Sequence, residues 1–198
     1  MKIDLVKEHK DYYRAALSPE LTQFDGAKYV SIEGKGEPGG KEFTEKVEAL
    51  YPVAYGIKKL CKEEQCDFAV PKLEGFWWVE GKRDARSTSR KEWSWKLLIR
   101  LPDFVTNDMH AKAVAEVVKR KKLNIAFETA LVETPRKKCV QALHVGPYSE
   151  EPGTIDRLLS FVNEKGYKID GLHHEIYLSD PRKTKAEELK TIIRYSIA

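Results

Sequence analysis

One order of elements, strand–helix–strand–strand, can be read twice along these 198 residues, and it restricts the chain to a duplicated α+β sheet. In the second half, Lys138-Cys139-Val140-Gln141-Ala142-Leu143-His144-Val145 alternates as a half-buried strand does. Gly146-Pro147-Tyr148 ends it. Ile155, Leu158, Leu159 and Val162 follow at the spacing of one helical face, with Thr154 expected as the N-cap and Gly166 as the C-cap. Residues 168–178 read as a second strand, Thr184-x-x-Glu187 fits a capping box, and residues 191–197 close as a last strand.

The first half runs in the same order. Residues 28–33 read as a strand that ends in the turn-rich loop Gly34-Lys35-Gly36-Glu37-Pro38-Gly39-Gly40. Phe43, Val47, Leu50, Ala54, Ile57 and Leu60 share a helical face, which Pro52 is expected to kink or divide. Residues 67–79 read as a strand with Pro71 at an edge or bulge, and residues 92–101 as a long alternating strand. A helix over 107–122 and a further strand over 124–132 lie between the halves. The halves share a pattern more than a sequence. The expectation is one domain over 1–198, with modules at 25–105 and 124–198 and a connecting helix at 106–123. About eight strands would form one antiparallel sheet, with helices on one face and a ligand groove between the repeats.

Composition narrows the function classes. Hydrophobic residues make up 41% of the chain and charged residues 33%, enough for a core and a well-solvated surface. No stretch approaches the ~20 apolar residues of a membrane span, and the N-terminus meets charges at once, so a cytoplasmic protein with no membrane partner is expected. The net charge of +4 is a mild excess. The basic runs Lys82–Arg86 and Lys119–Lys122 read as solvated surface, and direct nucleic-acid binding is not expected. Cys61, Cys66 and Cys139 suit idle cytosolic thiols better than a disulfide framework or a zinc site. The glycines fit neither a P-loop nor a dinucleotide fingerprint, there is no Gly-x-Ser-x-Gly element, and no metal-ligand set converges.

Strand parity singles out the candidate site, because successive side chains alternate faces. Leu172, His174, Ile176 and Leu178 share one face, apolar enough to pack under the helices. His173, Glu175, Tyr177 and Ser179 share the other. Earlier, Leu73, Gly75, Trp77 and Val79 fall on one face, with Trp77 in the core, and Lys72, Glu74, Phe76, Trp78 and Glu80 on the other. Overlaying the repeats sets Glu74 opposite Glu175 and Phe76 opposite Tyr177. Two carboxylates would then face a groove floored by Phe76, Trp78 and Tyr177. Rings supply stacking area and cation–π attraction, and burial among them would raise a glutamate's pKa toward neutrality. Glu74, Glu175 and Tyr177 are the expected catalytic residues. A glutamate on a strand is by itself most simply a solvated one; the combination across both halves argues for a site.

These residues also carry a family likeness. His144-Val145-Gly146-Pro147-Tyr148 followed by His173-His174-Glu175-Ile176-Tyr177-Leu178-Ser179-Asp180-Pro181 resembles the signature of the GyrI-like small-molecule-binding proteins. Ile32-Glu33-Gly34-Lys35-Gly36-Glu37-Pro38, Leu50-Tyr51-Pro52-Val53-Ala54-Tyr55 and Leu73-Glu74-Gly75-Phe76-Trp77-Trp78 are similar to segments of a longer subgroup. The resemblance implies a duplicated module with a ligand groove between the copies, and Glu175 matches the groove glutamate that meets the ligand. Tyr148 and Tyr55, within these motifs, join His173, Phe76, Trp78, Glu74, Glu175 and Tyr177 as expected ligand-binding residues. Thr134-Pro135-Arg136-Lys137-Lys138 departs from relatives that carry an acidic residue and a glycine before the strand. No DNA-binding segment precedes the domain here, so a stand-alone member is expected. Related domains sense drugs in multidrug-responsive regulators. Some stand-alone relatives hydrolyse cyclopropane-bearing, DNA-alkylating natural products, and others inhibit DNA gyrase. The resemblance therefore implies a binder of hydrophobic or cationic small molecules, needing no cofactor or metal, with hydrolysis of strained electrophiles as an activity. The alternative is an interaction protein acting on gyrase or partnering a transcription regulator. The sequence leaves the oligomeric state open.

Overall fold

The computed structural model describes residues 2–82, 85 and 87–198. In chain order the elements are β1 (Ile3–Asp4), α1 (Leu5–Glu8), β2 (Glu20–Phe24), β3 (Ala27–Lys35), α2 (Lys41–Glu63), β4 (Phe68–Ala69), β5 (Leu73–Val79), β6 (Trp93–Leu101), α3 (Asn107–Lys121), β7 (Ala130–Thr134), β8 (Lys137–Val145), α4 (Glu151–Glu164), β9 (His173–Tyr177) and β10 (Lys190–Ser196). Eight strands form one sheet in the order β2-β8-β10-β9-β5-β6-β3-β7, the α+β architecture that the periodicity predicts. β3 pairs antiparallel with β6 and β7, β8 with β2 and β10, and β10 with β9. The chain divides into two compact units. One comprises the residues up to Glu8, Ala27–Pro71 and Trp77–Thr134; the other comprises His9–Gly26, Lys72–Phe76 and Pro135–Ala198.

In the first unit α2 buries Ala49, Leu50, Val53, Ala54, Ile57 and Cys61 completely. That stripe holds the helix intact through Pro52, which neither divides it nor ends it. The proline removes one backbone donor, but it sits half-buried beside a fully packed face. Trp95 of β6 is fully buried and pairs with Gly34 of β3. A Cβ at Gly34 would lie 2.2 Å from the Trp95 ring, so the glycine makes room for the indole. Phe43 stacks on Trp77 with centroids 6.0 Å apart and meets Trp95 edge-on at 5.3 Å. Trp77 is therefore core, as its parity predicts. The expected strand over 67–79 is split into β4 and β5 around Pro71, and residues 124–132 open as a 3-10 turn at Asn124–Glu128 before β7 begins. The basic run at Lys119–Lys122 is exposed at the C-terminal end of α3, where cations suit the helix dipole. The run at Lys82–Arg86 falls for the most part outside the described residues.

In the second unit Leu158 and Val162 of α4 pack on Val140, Ala142, Ile193, Tyr195 and Ile197. The helix starts at Glu151, so Thr154 is not its cap; Thr154 is buried in the first turn and bonds His144 Nδ1 at 3.0 Å. Gly146 has φ of 132°, a conformation that favours glycine, and it turns the chain from β8 into Pro147 and Tyr148. Lys165 caps the other end of α4, with Gly166 next at φ 73°. The expected strand over 168–178 is reduced to β9 plus an isolated bridge between Ile169 and Ile197. Thr184 and Glu187 form no capping box; a 3-10 turn over Ala186–Glu188 follows Lys185 there. The sequence reading also missed the segment His9–Phe24. Its strand β2 extends the sheet beside β8, and Leu143 N–H bonds the Ala16 carbonyl at 2.7 Å.

Candidate functional site

Register settles which side chains share a face. Residues directly opposed in an antiparallel pair project to the same side. Ile193 opposes both Ala142 and Glu175, and Ile193 and Ala142 pack against α4. Glu175 therefore lies on the helix-covered face, and alternation puts His173 and Tyr177 there with it. Arg194 opposes Gln141 and His174, so these three share the other face. The sequence grouping of these residues holds, but its assignment of His174, Ile176 and Leu178 to the helix side is reversed. Alternation gives relative faces only. The second face also carries part of the chain, the segment before β2, whose Tyr12 and Arg14 carbonyls accept from Arg194 and Gln141; Ile176 and Ile192 on that face are fully buried.

Glu74 belongs to that second face. It is 1% exposed, and its Oε2 accepts from the Tyr12 hydroxyl at 2.6 Å and from His174 Nε2 at 2.9 Å. Phe76 stacks on the His174 ring, with centroids 4.3 Å apart. Burial holds the His174 pKa below its ordinary 6.5 in spite of the Glu74 carboxylate. Arg194, 3% exposed, donates to Gln141 Oε1 at 2.7 Å and to the Tyr12 carbonyl at 2.7 Å. Its guanidinium lies against both the Tyr12 and Phe24 rings, 4.3 and 4.1 Å from their centroids, and the two rings meet edge-on at 5.1 Å. Gln141 in turn donates to the Arg14 carbonyl and to Glu20. Glu74, Arg194 and Gln141 thus tie the segment 9–24 to the sheet. The structure thus does not bring Glu74 and Glu175 together: they project from opposite faces, because β5 presents Glu74 on the face of His174.

The helix-side cluster has a different chemistry. His173 Nε2 donates to Glu175 Oε1 at 2.7 Å, while its Nδ1 meets the Tyr195 hydroxyl at 2.6 Å. Glu175 is 8% exposed. Burial raises its pKa, yet the hydrogen bond and charge of His173, with a further bond from Tyr177, hold the carboxyl below its ordinary 4.5. Tyr148, in the turn after Gly146, meets Tyr177 edge-to-face with centroids 6.0 Å apart. Burial, with Glu175, Glu151 and Asp180 nearby, pushes the Tyr148 phenol up to about 12, so it keeps its proton at neutral pH. Glu175, Tyr177, Tyr148 and His173 of the sequence-predicted set are therefore assembled in one place.

Two further candidates belong to the other unit. Trp78 is half-buried and donates to Glu80 Oε1 at 3.0 Å; Tyr55 on α2 is 55% exposed. Glu151 was not foreseen. One ligating atom each from Glu151, His173 and Glu175 lies within 4.8 Å of the others, a set that could hold a cation. Its acids come from α4 and β9, far apart in sequence, so no local spacing announces it. Cys61 and Cys139 are buried thiols; burial pushes Cys61 up to about 11 and Cys139 upward, which leaves both protonated and unreactive at neutral pH.

A family model described as the GyrI-like small molecule binding domain matches residues 18–197. Nothing among curated proteins matches the chain. An uncharacterized conserved protein from Listeria innocua is 39% identical, with 100% of both chains covered and a TM-score of 0.91. A hydrolase encoded by lin2189 from Listeria innocua is 38% identical, again over 100% of both chains, with a TM-score of 0.88. The EcmrR C-terminal domain, at 14% identity, shares the fold with a TM-score of 0.60 over 91% of this chain and 97% of that one. No helix among the described residues is long and apolar enough to cross a membrane.

Proposed function

The chain belongs to the GyrI-like small-molecule-binding domain family, and on that premise we propose that it binds aromatic or cationic small molecules in the cytoplasm and hydrolyses strained, cyclopropane-bearing electrophiles among them. One observation carries the reading: Glu175, almost fully buried, is kept ionised by His173 beside two phenols. An ionised carboxylate among rings attracts a cation and also serves as a general base. Tyr148 and Tyr177 offer ring faces for a flat ligand. In the reaction Glu175 takes a proton from water as the water oxygen bonds to a ring carbon. The adjacent ring carbon–carbon bond breaks, and its electron pair moves into the conjugated carbonyl, which the Tyr177 phenol hydrogen-bonds. The proton held by Glu175 passes to the resulting enolate, so that the product carries one added water and the carboxylate is restored. The hydrolase label of a relative 38% identical over its whole length supports the catalytic part. The free state of all three cysteines suits a reducing compartment.

The test is to incubate the purified protein with a cyclopropane-bearing conjugated ketone and follow the product by mass spectrometry. The expected product carries one added water. Glu175→Gln lowers turnover by about 10²–10⁴-fold with the fold intact. Undiminished turnover in that variant contradicts the mechanism.

A further inference from the structure

His144 opens the run His144-Val145-Gly146-Pro147-Tyr148, yet only Tyr148 reaches the site described above. His144 shares the parity of Ala142 on β8, so it lies on the helix-covered face, 5% exposed. Its Nε2 lies 3.1 Å from the Pro147 carbonyl oxygen, and its Nδ1 lies 3.0 Å from the hydroxyl of Thr154, a residue 2% exposed. Arg157 donates to the same hydroxyl at 3.0 Å and to the Gly153 carbonyl at 3.2 Å. A guanidinium only donates and a carbonyl only accepts. The hydroxyl therefore takes a hydrogen bond from Arg157 and gives its own proton to Nδ1. The neutral ring then carries its hydrogen on Nε2, aimed at Pro147. One direction, from Arg157 through Thr154 and His144 to Pro147, satisfies every group in the chain of bonds.

That chain ends on the peptide that leads into Tyr148. The Pro147 carbonyl also accepts from the Glu150 N–H at 2.9 Å, and the Gly146 N–H donates to the Leu189 carbonyl at 3.0 Å. The imidazole packs against this turn, with the Cβ position of Gly146 only 3.6 Å from Nε2. A carbonyl shares one plane with the nitrogen that follows it, so holding the Pro147 oxygen sets the direction in which Tyr148 leaves the turn. The Tyr148 ring then meets Tyr177 edge-to-face, with centroids 6.0 Å apart. Resting on the ligand-binding reading of this site, we propose that His144 is a positioning residue: as the Nε2–H tautomer fed by Thr154, it locks the turn against α4 and holds the Tyr148 ring where the ligand stacks. His144 touches neither the ligand nor the reacting atoms. A loosened Tyr148 leaves Glu175 and Tyr177 in place on β9, so its loss falls on binding and not on proton transfer: KM rises while kcat changes little.

Two measurements separate this role from a general contribution to folding. Imidazole nitrogen resonances of the labelled wild-type protein are expected to show His144 neutral and protonated on Nε2 at neutral pH; a ring protonated on Nδ1 overturns the proposal. In His144→Leu the ring protons of Tyr148, shifted in the wild type by the Tyr177 ring, are expected to move toward the values of an unstructured tyrosine. His144→Gln offers an amide N–H to Pro147 and an acceptor to Thr154, and is expected to restore them. Thr154→Val keeps the shape, removes the hydroxyl, and is expected to move them in the same direction, which serves where His144→Leu does not fold. Tyr148 resonances unmoved in both variants overturn the proposal. The second measurement is calorimetric titration with ethidium, a planar aromatic cation. His144→Leu is expected to weaken binding by about 2–10-fold, and His144→Gln to recover it. In a Tyr148→Ala background His144→Leu is expected to cost no further affinity; a full second loss there shows that His144 does not act through Tyr148 and overturns the proposal. A wild-type protein that does not bind ethidium contradicts the ligand-binding reading and with it the role in binding, while the resonances still decide whether His144 sets Tyr148.

Discussion

Replacing Tyr12 by phenylalanine deletes one hydroxyl and leaves the ring where it is. The hydroxyl donates to Glu74 Oε2 at 2.6 Å, in a setting where Tyr12 is 7% and Glu74 1% exposed. Water does not readily replace the lost donor, and Glu74 Oε1 already lacks a hydrogen-bond partner. A hydrogen bond to a charged group contributes about 1.5–3 kcal/mol. The ring remains against the Arg194 guanidinium, 4.3 Å from its centroid, so the cation–π contact persists. The expected loss is about 2 kcal/mol. For a domain of this size that corresponds to a fall in Tm of ~4–8 °C. Urea unfolding at pH 7, followed by tryptophan fluorescence, measures it. Affinity for a small-molecule ligand is expected to stay unchanged, because Tyr12 and Glu74 act on the face away from Glu175. A loss below ~0.5 kcal/mol, or an intact fold with lost ligand binding, would refute the assignment of Glu74 to an anchoring role.

Other consequences follow from the same geometry. Gly34→Ala drives a Cβ to 2.2 Å from the Trp95 ring and is expected to cost at least ~1–3 kcal/mol, checked by the same urea titration. Trp77→Ala removes a core indole stacked on Phe43 and is expected to cost roughly 3–5 kcal/mol, checked by thermal unfolding. Acid lability is expected in two stages. His174 and Glu175 both have folded-state pKa values below their ordinary 6.5 and 4.5, so each stabilises the fold above that value and loses its contribution as pH falls. Tm measured against pH should decline first below 6.5, and His174→Gln should flatten that first stage.

Alternation along β5 and β9 was enough to say which residues travel together: Trp77 went to the core, and Glu175 kept Tyr177 and His173 as companions. It was not enough to say which side each group faces, since period two carries no absolute direction. Leu172, Ile176 and Leu178 looked like a helix-covered set because only helices were known to cover the sheet. The segment 9–24, which meets the other face through Tyr12 and Arg14 and adds β2 at the sheet edge, has little of its own to announce it. β2 is Glu20-Leu21-Thr22-Gln23-Phe24, with no fully buried residue. Its hold on the sheet is spread over Tyr12, Gln141, Arg194 and Glu74, which are distant in sequence. Glu151 escaped for a related reason. Within Ser149-Glu150-Glu151 it reads as solvated charge, and only the strand carrying His173 and Glu175 makes it a buried acid. The strands over 67–79 and 168–178 came out shorter than expected because pairing, which depends on partners elsewhere in the chain, decides where a ladder stops.

Glu175 is proposed to meet the ligand, and Glu74 to hold the fold. Titrating a planar aromatic cation into the wild-type protein, Glu175→Gln and Glu74→Gln by calorimetry tests this directly. Loss of a charge-assisted contact of ~1.5–3 kcal/mol predicts that Glu175→Gln weakens binding by about 10–150-fold. Glu74→Gln is expected to bind as the wild type does, with a lowered Tm. Binding lost in Glu74→Gln and retained in Glu175→Gln would contradict the account.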